Sequence, residues 1–256
     1  AVLNVHATVL RLMTMRKDQT IEALRGQLVV SCQAYEDNPL HGVDNMAIMS
    51  RCVLEGGAGA IRLCWPETIR AVRPFCAKPI IGINKVMPTD ARDAFESVYI
   101  TPTLESAIAV VEAGCDVLAM DGTLRERQQG ERLEEIVKEL KRRYPDLVLM
   151  ADLATIEEGI ACAEMGFDIL ASTLSGYTTE TRERSEMEPD YELISALKRR
   201  TGLLVNAEGR IWNLRQLDRA WQCGADMVSI GSAITNPMKT TQYLTAHMHV
   251  PTGVAG

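Results

Sequence analysis

Charged side chains capable of proton transfer or anion binding lie within or just after short apolar runs of this sequence. Lys85, Asp152 and Glu208 each directly follow such a run, and Arg62 lies inside one. A lysine amine held beside apolar groups is easier to deprotonate, so it can act as a base or form a Schiff base with a carbonyl. The carboxylates could exchange protons, orient hydroxyl groups, cap helices or form salt bridges with the cationic side chains. The spacing alone leaves these roles open.

Eight apolar runs of this kind recur along the chain, and their starts lie about 28 residues apart. Runs this short and rich in β-branched residues are typical of strands buried on both faces of a parallel sheet. Helical patterns fill the intervals, and this alternation predicts an α/β fold. We predict strands at 28–31, 60–63, 80–84, 117–120, 147–151, 169–172, 203–207 and 227–230. We predict helices at 43–55, 65–75, 103–113, 131–144, 155–165, 190–200, 213–223 and 237–248.

A weak internal repeat supports a closed sheet. Residues 113–120, 165–172 and 223–230 share a glycine at their second position and an aspartate at their fourth. The glycine is suited to ending a helix in the left-handed conformation, and the aspartate then precedes the next strand. Eight units with a recurring helix-to-strand turn favour a single (β/α)8 (TIM) barrel, with an open doubly wound sheet as the alternative.

The domain boundaries follow from where these patterns begin and end. We predict one barrel domain over residues 15–250 and a short C-terminal tail over 251–256. Residues 1–14 are interpreted as an N-terminal extension or an artificial remnant. The irregular stretch 87–103, after the third strand, is long enough to act as a lid.

The carboxyl ends of the strands form the active-site face of such a barrel, so the polar groups there should converge. Phosphate groups in these barrels are commonly held by the loops after the last two strands and by a short helix N-terminus. Here those loops contain Gly209, Arg210, Gly231 and Ser232. Asn236 and the proline after it predict a helix N-cap followed by the first helical residue.

Composition excludes several classes of partner. The chain carries 34 acidic and 27 basic residues and is only 5% aromatic, so we expect no nucleic-acid partner. No apolar run approaches the ~18 residues of a membrane-spanning helix, so we expect no membrane partner. Seven scattered cysteines and four histidines without ligand spacing predict reduced thiols in a cytoplasmic protein and no metal site.

Nine short segments together resemble the N-acylmannosamine-6-phosphate 2-epimerase family. They occur in order and span nearly the whole predicted domain, from Gly26 to Pro237. The segments are 26–33 (G-x-L-V-V-S-C-Q), 36–40 (E-D-N-P-L), 56–62 (G-G-A-G-A-I-R), 79–85 (P-I-I-G-I-x-K), 100–103 (I-T-P-T), 150–155 (M-A-D-L-A-T), 172–178 (S-T-L-S-G-Y-T), 207–210 (A-E-G-R) and 231–235 (G-S-A-I-T).

The resemblance implies a barrel enzyme that interconverts N-acetylmannosamine 6-phosphate and N-acetylglucosamine 6-phosphate without a metal or organic cofactor. By position, Lys85 and Glu208 match the family's catalytic lysine and carboxylate. Its substrate-contacting residues match Gln33, Arg62 and Asp152, and its phosphate loops match 209–210 and 231–235. Thr173 and Ser175, in the segment 172–178, are further candidates for substrate binding. A homodimer is one oligomeric state that such an enzyme could adopt.

Two positions depart from the family pattern. Val86 and Asn236 stand where the family usually has arginine, and the second of those arginines is expected to bind phosphate. Loss of a bidentate phosphate partner opens the alternative of an epimerase that acts on an unphosphorylated or differently acylated amino sugar. Two further alternatives do not depend on this loss. They are a catalytically silent sugar-phosphate sensor on the same barrel and an aldolase that uses Lys85 as a Schiff base.

Overall fold

The eight apolar runs form the eight strands of a closed parallel barrel. A computed structural model of the chain describes residues 16–87, 94–184 and 187–248, so the predicted extension 1–14 and tail 251–256 lie outside the described residues. The strands are β1 (Gln27–Cys32), β2 (Ala60–Cys64), β3 (Ile80–Ile83), β4 (Val117–Asp121), β5 (Val148–Asp152), β6 (Ile169–Ala171), β7 (Leu204–Glu208) and β8 (Met227–Ile230). Each pairs in parallel with its neighbours in sequence, and β8 pairs with β1. The predicted (β/α)8 barrel is confirmed, and the open sheet is wrong.

All eight predicted helices are present, with ends within a few residues of those predicted. The described helices are α1 (Lys17–Leu24), α2 (Val43–Glu55), α3 (Pro66–Val72), α4 (Leu104–Glu112), α5 (Leu133–Arg143), α6 (Ile156–Met165), α7 (Tyr191–Thr201), α8 (Leu214–Gln222), α9 (Ser232–Thr235) and α10 (Pro237–His247). The side chains of Thr103, Thr155, Asp190, Asn213 and Asn236 cap α4, α6, α7, α8 and α10. These caps satisfy amide groups that a helix N-terminus leaves unpaired. Within the described residues, no helix combines the length and apolarity needed to cross a membrane.

Helix α1 was not predicted from the sequence, and it closes the amino end of the barrel. Leu24 is fully buried in the interior cluster together with the first residues of six strands, which include Val117, Val148 and Met227. Ile21, one turn earlier, packs against the same cluster. Burial of these side chains removes apolar surface from water at one end of the barrel. The carboxyl ends of the strands therefore form its open mouth.

The aspartates of the internal repeat connect neighbouring strands at that closed end. Asp116 accepts a hydrogen bond of 2.9 Å from the backbone amide of Ile80, the first residue of β3. Asp168 and Asp226 accept from the second residues of β5 and β7 at 3.0 and 2.8 Å. Each carboxylate also forms an ion pair, with Arg73, Lys17 and Lys198 respectively. The aspartates of the repeat therefore link β4, β6 and β8 to the strands before them through hydrogen bonds.

The described part of the insertion after β3 packs into the barrel mouth. Ser97, Val98, Ile100 and Thr101 are buried, and Ile100 forms an antiparallel bridge with Lys85. The hydroxyl of Thr101 accepts from the amide of Asn84 at 3.1 Å and donates to a β4 carbonyl at 2.8 Å. Residues 97–103 therefore extend the wall between β3 and β4. The first part of the predicted lid, 88–93, lies outside the described residues.

Replacement of Asp116 by Asn should destabilise the fold far more than the same change at Asp168. The Asp116 and Arg73 side chains are 0% and 8% exposed, so Asp116→Asn leaves a buried guanidinium without its counter-charge, at a cost of about 3–5 kcal/mol. Lys17, the partner of Asp168, is 34% exposed, and the matched Asp168→Asn change should cost ~0–1 kcal/mol. Equilibrium urea unfolding measures both values, and equal losses would contradict this account of the repeat.

Candidate active site

The mouth of the barrel contains a buried cluster of one guanidinium and two carboxylates. Arg62 of β2 binds Asp152 of β5 through two hydrogen bonds, Nη1 to Oδ1 at 3.0 Å and Nη2 to Oδ2 at 2.6 Å. Its Nη1 also donates to Oε2 of Glu208, the last residue of β7, at 2.9 Å. The side chains of Arg62, Asp152 and Glu208 are 1%, 0% and 14% exposed. The barrel therefore brings together three of the residues expected to serve chemistry and substrate binding.

The charge of Arg62 is maintained by its two neighbours. Burial acts to lower the pKa of Arg62, but the negative charges of Asp152 and Glu208 outweigh it, and the pKa is raised overall. The guanidinium is therefore a permanent cation inside the barrel. Its Nε is buried and has no hydrogen-bond partner among the described residues.

The surroundings of Glu208 favour the protonated form of its carboxyl group. Burial raises the pKa of Glu208 above its ordinary value; the positive charge of Arg62 opposes this shift, and the Asp152 carboxylate adds to it. Asn206, two residues earlier on the same face of β7, donates to Oε2 at 3.1 Å. Lys85 is close enough for its charge to act on Glu208 as well. A carboxyl with a raised pKa in a cleft is suited to acid–base chemistry.

The loop after β6 supports both carboxylates. The hydroxyl of Thr173 donates to Oδ1 of Asp152 at 2.6 Å. Ser172 donates to the carbonyl oxygen of Glu208 at 2.9 Å and accepts from its amide at 3.1 Å. Thr173, a predicted substrate-binding residue, is therefore in the cluster, and Ser172 holds the backbone of Glu208.

Lys85 lies two residues beyond β3, across the ring of strands from Glu208. Its Nζ donates a hydrogen bond to the hydroxyl of Tyr35 and lies 4.7 Å from the centre of that ring. The ring of Tyr99 is 6.0 Å away, and the indole nitrogen of Trp65 donates to the Lys85 carbonyl oxygen at 3.3 Å. Two aromatic rings therefore lie against the amine, and its charge also acts on Glu208.

Gln33 lies beside the loop that follows β8. Its side chain donates to the hydroxyl of Ser31 at 2.7 Å, and the carbonyl oxygen of Ser31 accepts from Thr235 in α9 at 2.7 Å. A side chain at Gly231 would place its Cβ 3.4 Å from that of Ser31. The predicted phosphate-loop residues Gly231 and Ser232 are thus next to one predicted substrate-binding residue.

Ser175 and Arg210 are joined to each other rather than to the carboxylate cluster. Arg210 donates to the carbonyl oxygens of Ser175 at 2.5 Å and Glu188 at 2.8 Å, and its guanidinium lies 5.7 Å from the ring centre of Tyr177. The Ser175 hydroxyl donates to Asp190, the cap of α7, at 2.6 Å. Gly209 and Arg210 both have positive φ, 110° and 59°, and this tight turn directs the arginine toward the β6 loop.

Two polar groups near the site have other roles. Asp121, at the end of β4, is fully buried and accepts from Thr123 at 2.6 Å and Arg125 at 2.7 Å, so it organises its own loop. Burial raises the pKa of the Cys64 thiol to about 11, so a neutral thiol faces the barrel interior. In the described ranges, no group of His, Cys, Asp and Glu side chains could hold a metal ion.

Sequence reasoning missed Asn206, Tyr35 and Trp65. Asn206 carried a usable signal, because residues two apart on a strand share a face and Glu208 was already a candidate. Trp65 follows β2 directly and Tyr35 lies three residues after the end of β1, in a chain with few aromatic residues. Their position beyond strand ends was the available signal, since those loops line the mouth.

Comparisons with known proteins agree on one family. The family model described as "Putative N-acetylmannosamine-6-phosphate epimerase" matches residues 46–249. Relatives from Cutibacterium acnes and Caldanaerobacter subterraneus, both named "Putative N-acetylmannosamine-6-phosphate 2-epimerase", are 43% and 41% identical to this chain. These alignments cover 88% and 87% of the chain and 94% and 91% of the relatives.

A solved structure supports the same assignment. The N-acetylmannosamine-6-phosphate 2-epimerase from Clostridium perfringens superposes with a TM-score of 0.82 and 34% sequence identity. The match covers 89% of this chain and 96% of that one. The sequence matches and the closed barrel lead to one conclusion: the chain belongs to the N-acetylmannosamine-6-phosphate epimerase family.

Proposed function

We propose that the protein interconverts N-acetylmannosamine 6-phosphate and N-acetylglucosamine 6-phosphate by removing the proton on C2 and returning it to the opposite face. The observation that carries this proposal is the placement of Lys85 opposite Glu208, whose pKa burial raises. Epimerisation at a carbon requires a proton acceptor on one face and a proton donor on the other. Family membership supplies the substrate, and the geometry supports the chemistry.

The chemistry begins with the open-chain sugar, in which the C1 aldehyde makes the C2 hydrogen acidic. Lys85, as the neutral amine, takes that proton, and the electron pair moves into an enolate. Glu208 returns a proton to the other face of C2. The hydrogen bonds from Arg62 and Asn206 both reach Oε2, so we assign the transferred proton to Oε1. The reverse reaction exchanges the two roles.

The remaining cluster residues position the substrate. Asp152 is fixed by Arg62 and Thr173, so it offers a preorganised acceptor for sugar hydroxyls. Arg62 supplies positive charge beside the reacting carbon, where the enolate develops. Gln33 lies near the β8 loop and is placed to contact the sugar between the phosphate and C2. Fixed placement of reacting groups contributes several kcal/mol to catalysis.

The 6-phosphate is assigned to the loops after β7 and β8. The first amides of α9 have no acceptor within the helix, so Ser232 and the backbone of Gly231 can bind an anion. Gly209 and Arg210 complete the pocket through their backbone, because the Arg210 side chain is occupied with carbonyl oxygens. Ser175 then contributes indirectly, because its carbonyl oxygen accepts a hydrogen bond from Arg210 and so helps to fix the loop after β7. A cytoplasmic location and a homodimer remain part of the proposal.

Lys85→Ala should abolish epimerisation while leaving the fold and substrate binding largely intact. Removal of the base takes away a contribution of ~10²–10⁴ in rate. The matched control is Lys78→Ala, at the other end of the same strand region, where the side chain is exposed. A coupled assay of N-acetylglucosamine 6-phosphate formation measures both variants. Retention of a tenth of the wild-type rate in Lys85→Ala would remove this residue from the mechanism.

Glu208→Gln should lower kcat by ~10²–10⁴-fold and remove one limb of the pH–rate profile. Glutamine keeps the size and one acceptor oxygen but cannot titrate. Because the pKa of Glu208 is raised, wild-type activity that needs protonated Glu208 declines as pH rises through a value above the ordinary glutamate range. A variant that changes only KM and keeps both pH limbs would show that Glu208 binds substrate and moves no proton.

Asn236→Arg tests the assignment of the phosphate site. The added charge should tighten binding of the 6-phosphate substrate by roughly ten-fold with little change in kcat. A charge-assisted contact far from C2 is worth ~1.5–3 kcal/mol, and it stabilises the bound substrate and the transition state equally. Asn236 caps α10 by accepting from the Lys239 amide at 3.0 Å, so its replacement also costs about 1 kcal/mol of stability.

The control for this experiment is Asn236→Ala, which loses the cap and adds no charge. Unphosphorylated N-acetylmannosamine should respond equally to both variants. If wild-type kcat/KM is the same for the phosphorylated and unphosphorylated sugars, the phosphate assignment is wrong.

A further inference from the structure

A cavity of about 660 Å³ opens beside Lys85. Residues after β1, β2 and β3 and the first turns of α2 and α3 line it, and they include Tyr35, His41, Trp65 and Lys85. Arg62, Asp152 and Glu208 are not among its lining residues. The space is of the size that binds small organic groups and is separate from the place of the sugar hydroxyls.

The position of this cavity identifies the part of the substrate that can enter it. The phosphate loops follow β7 and β8, and β7 stands opposite β3 in a ring of eight strands. A sugar phosphate laid across the mouth therefore has C6 at one side and C2 beside Lys85. The acyl-bearing nitrogen is bonded to C2, so the acyl group lies within a few bonds of the Lys85 amine and next to the cavity.

The walls of the cavity are aromatic and held in place. The Tyr35 and His41 rings both meet Trp65 edge-on, with ring centres 6.0 Å apart in each pair. Trp65 has a positive φ of 70°, a conformation that strains a non-glycine residue. Its amide donates to a β3 carbonyl at 2.9 Å and its indole donates to the Lys85 carbonyl, and these bonds hold the ring there. Such walls favour an apolar group.

The rim of the cavity is acidic. Glu36, Asp37 and Glu67 line it, and all three side chains are exposed. Lys85 also lines the cavity, but its amine is assigned to the proton on C2. A negatively charged acyl group would meet three carboxylates, whereas a neutral one would meet the aromatic walls.

We propose that this cavity receives the N-acyl group of the substrate and that the enzyme acts on neutral acyl groups larger than acetyl. Trp65 and Tyr35 are then specificity-determining residues. The inference rests on the proposed function, because it needs C2 at Lys85. Each methylene buried against these walls favours binding by about four-fold.

The test compares N-acetyl-, N-butanoyl- and N-succinylmannosamine 6-phosphate as substrates of the whole chain. The butanoyl and succinyl groups have the same four-carbon length and differ in the terminal carboxylate. We expect kcat/KM for the butanoyl sugar to equal or exceed that for the acetyl sugar, by up to ~15-fold for two buried methylenes. We expect the succinyl sugar to fall about ten-fold or more below the butanoyl sugar.

Glycine tolerates the positive φ at position 65, and Trp65→Gly removes one wall of the cavity. The variant should therefore lower the butanoyl-to-acetyl ratio of kcat/KM below the wild-type ratio, and an unchanged ratio would remove Trp65 as a specificity-determining residue. Trp212→Gly is the matched control, because Trp212 stacks on Tyr243 at 4.4 Å and does not line the cavity. It should leave the ratio unchanged. If either variant fails to fold, the comparison of the three sugars with the wild-type protein still tests the inference.

Conversion of the acetyl sugar with a lower kcat/KM for the butanoyl sugar would overturn the inference and leave the proposed function standing. Equal rates for the butanoyl and succinyl sugars would overturn the part assigned to the acidic rim. Failure to convert any of the three sugars would overturn the proposed function and the inference together.

Discussion

A guanidinium group inside a barrel is costly unless carboxylates neutralise it, and the mouth of this barrel is arranged around that constraint at Arg62. The side chain is 1% exposed, and its partners come from β5 and β7. Removal of either carboxylate would leave a buried charge partly unpaired. The pairing therefore requires β2, β5 and β7 to keep their register in the closed ring, and it ties the integrity of the site to that of the fold.

The same interaction sets the chemistry of Glu208. Arg62 stabilises the ionised form of the carboxylate, whereas burial and Asp152 stabilise the protonated form, and the balance raises its pKa. A carboxyl that is protonated more readily than an exposed glutamate is suited to both giving and taking a proton. Lys85 lies outside this cluster, in aromatic surroundings beyond β3. The proposed epimerase thus uses two proton carriers held by two different environments on opposite sides of one carbon.

Much of the fold could be predicted because the strands are apolar on both faces and stand out as short runs between amphipathic helices. For the same reason Lys85, Asp152 and Glu208 could be located, since each ends such a run. The partners of Arg62 could not be predicted, because Asp152 and Glu208 lie 90 and 146 residues away in sequence and their approach depends on barrel closure. Helix α1 escaped prediction because Thr20 and Leu24 are its only fully buried residues, too few for a clear periodic pattern. Arg210 was expected at the phosphate, but two successive residues of positive φ turn it toward the β6 loop, a feature that residue types alone do not reveal.

The most direct test of proton transfer at C2 is proton NMR of the reaction of N-acetylmannosamine 6-phosphate in deuterium oxide. The account predicts that N-acetylglucosamine 6-phosphate appears with deuterium at C2, because the proton taken by Lys85 is replaced by one exchanged with solvent at Glu208. Product that retains its original hydrogen at C2, or fragments from cleavage of the carbon chain, would contradict it.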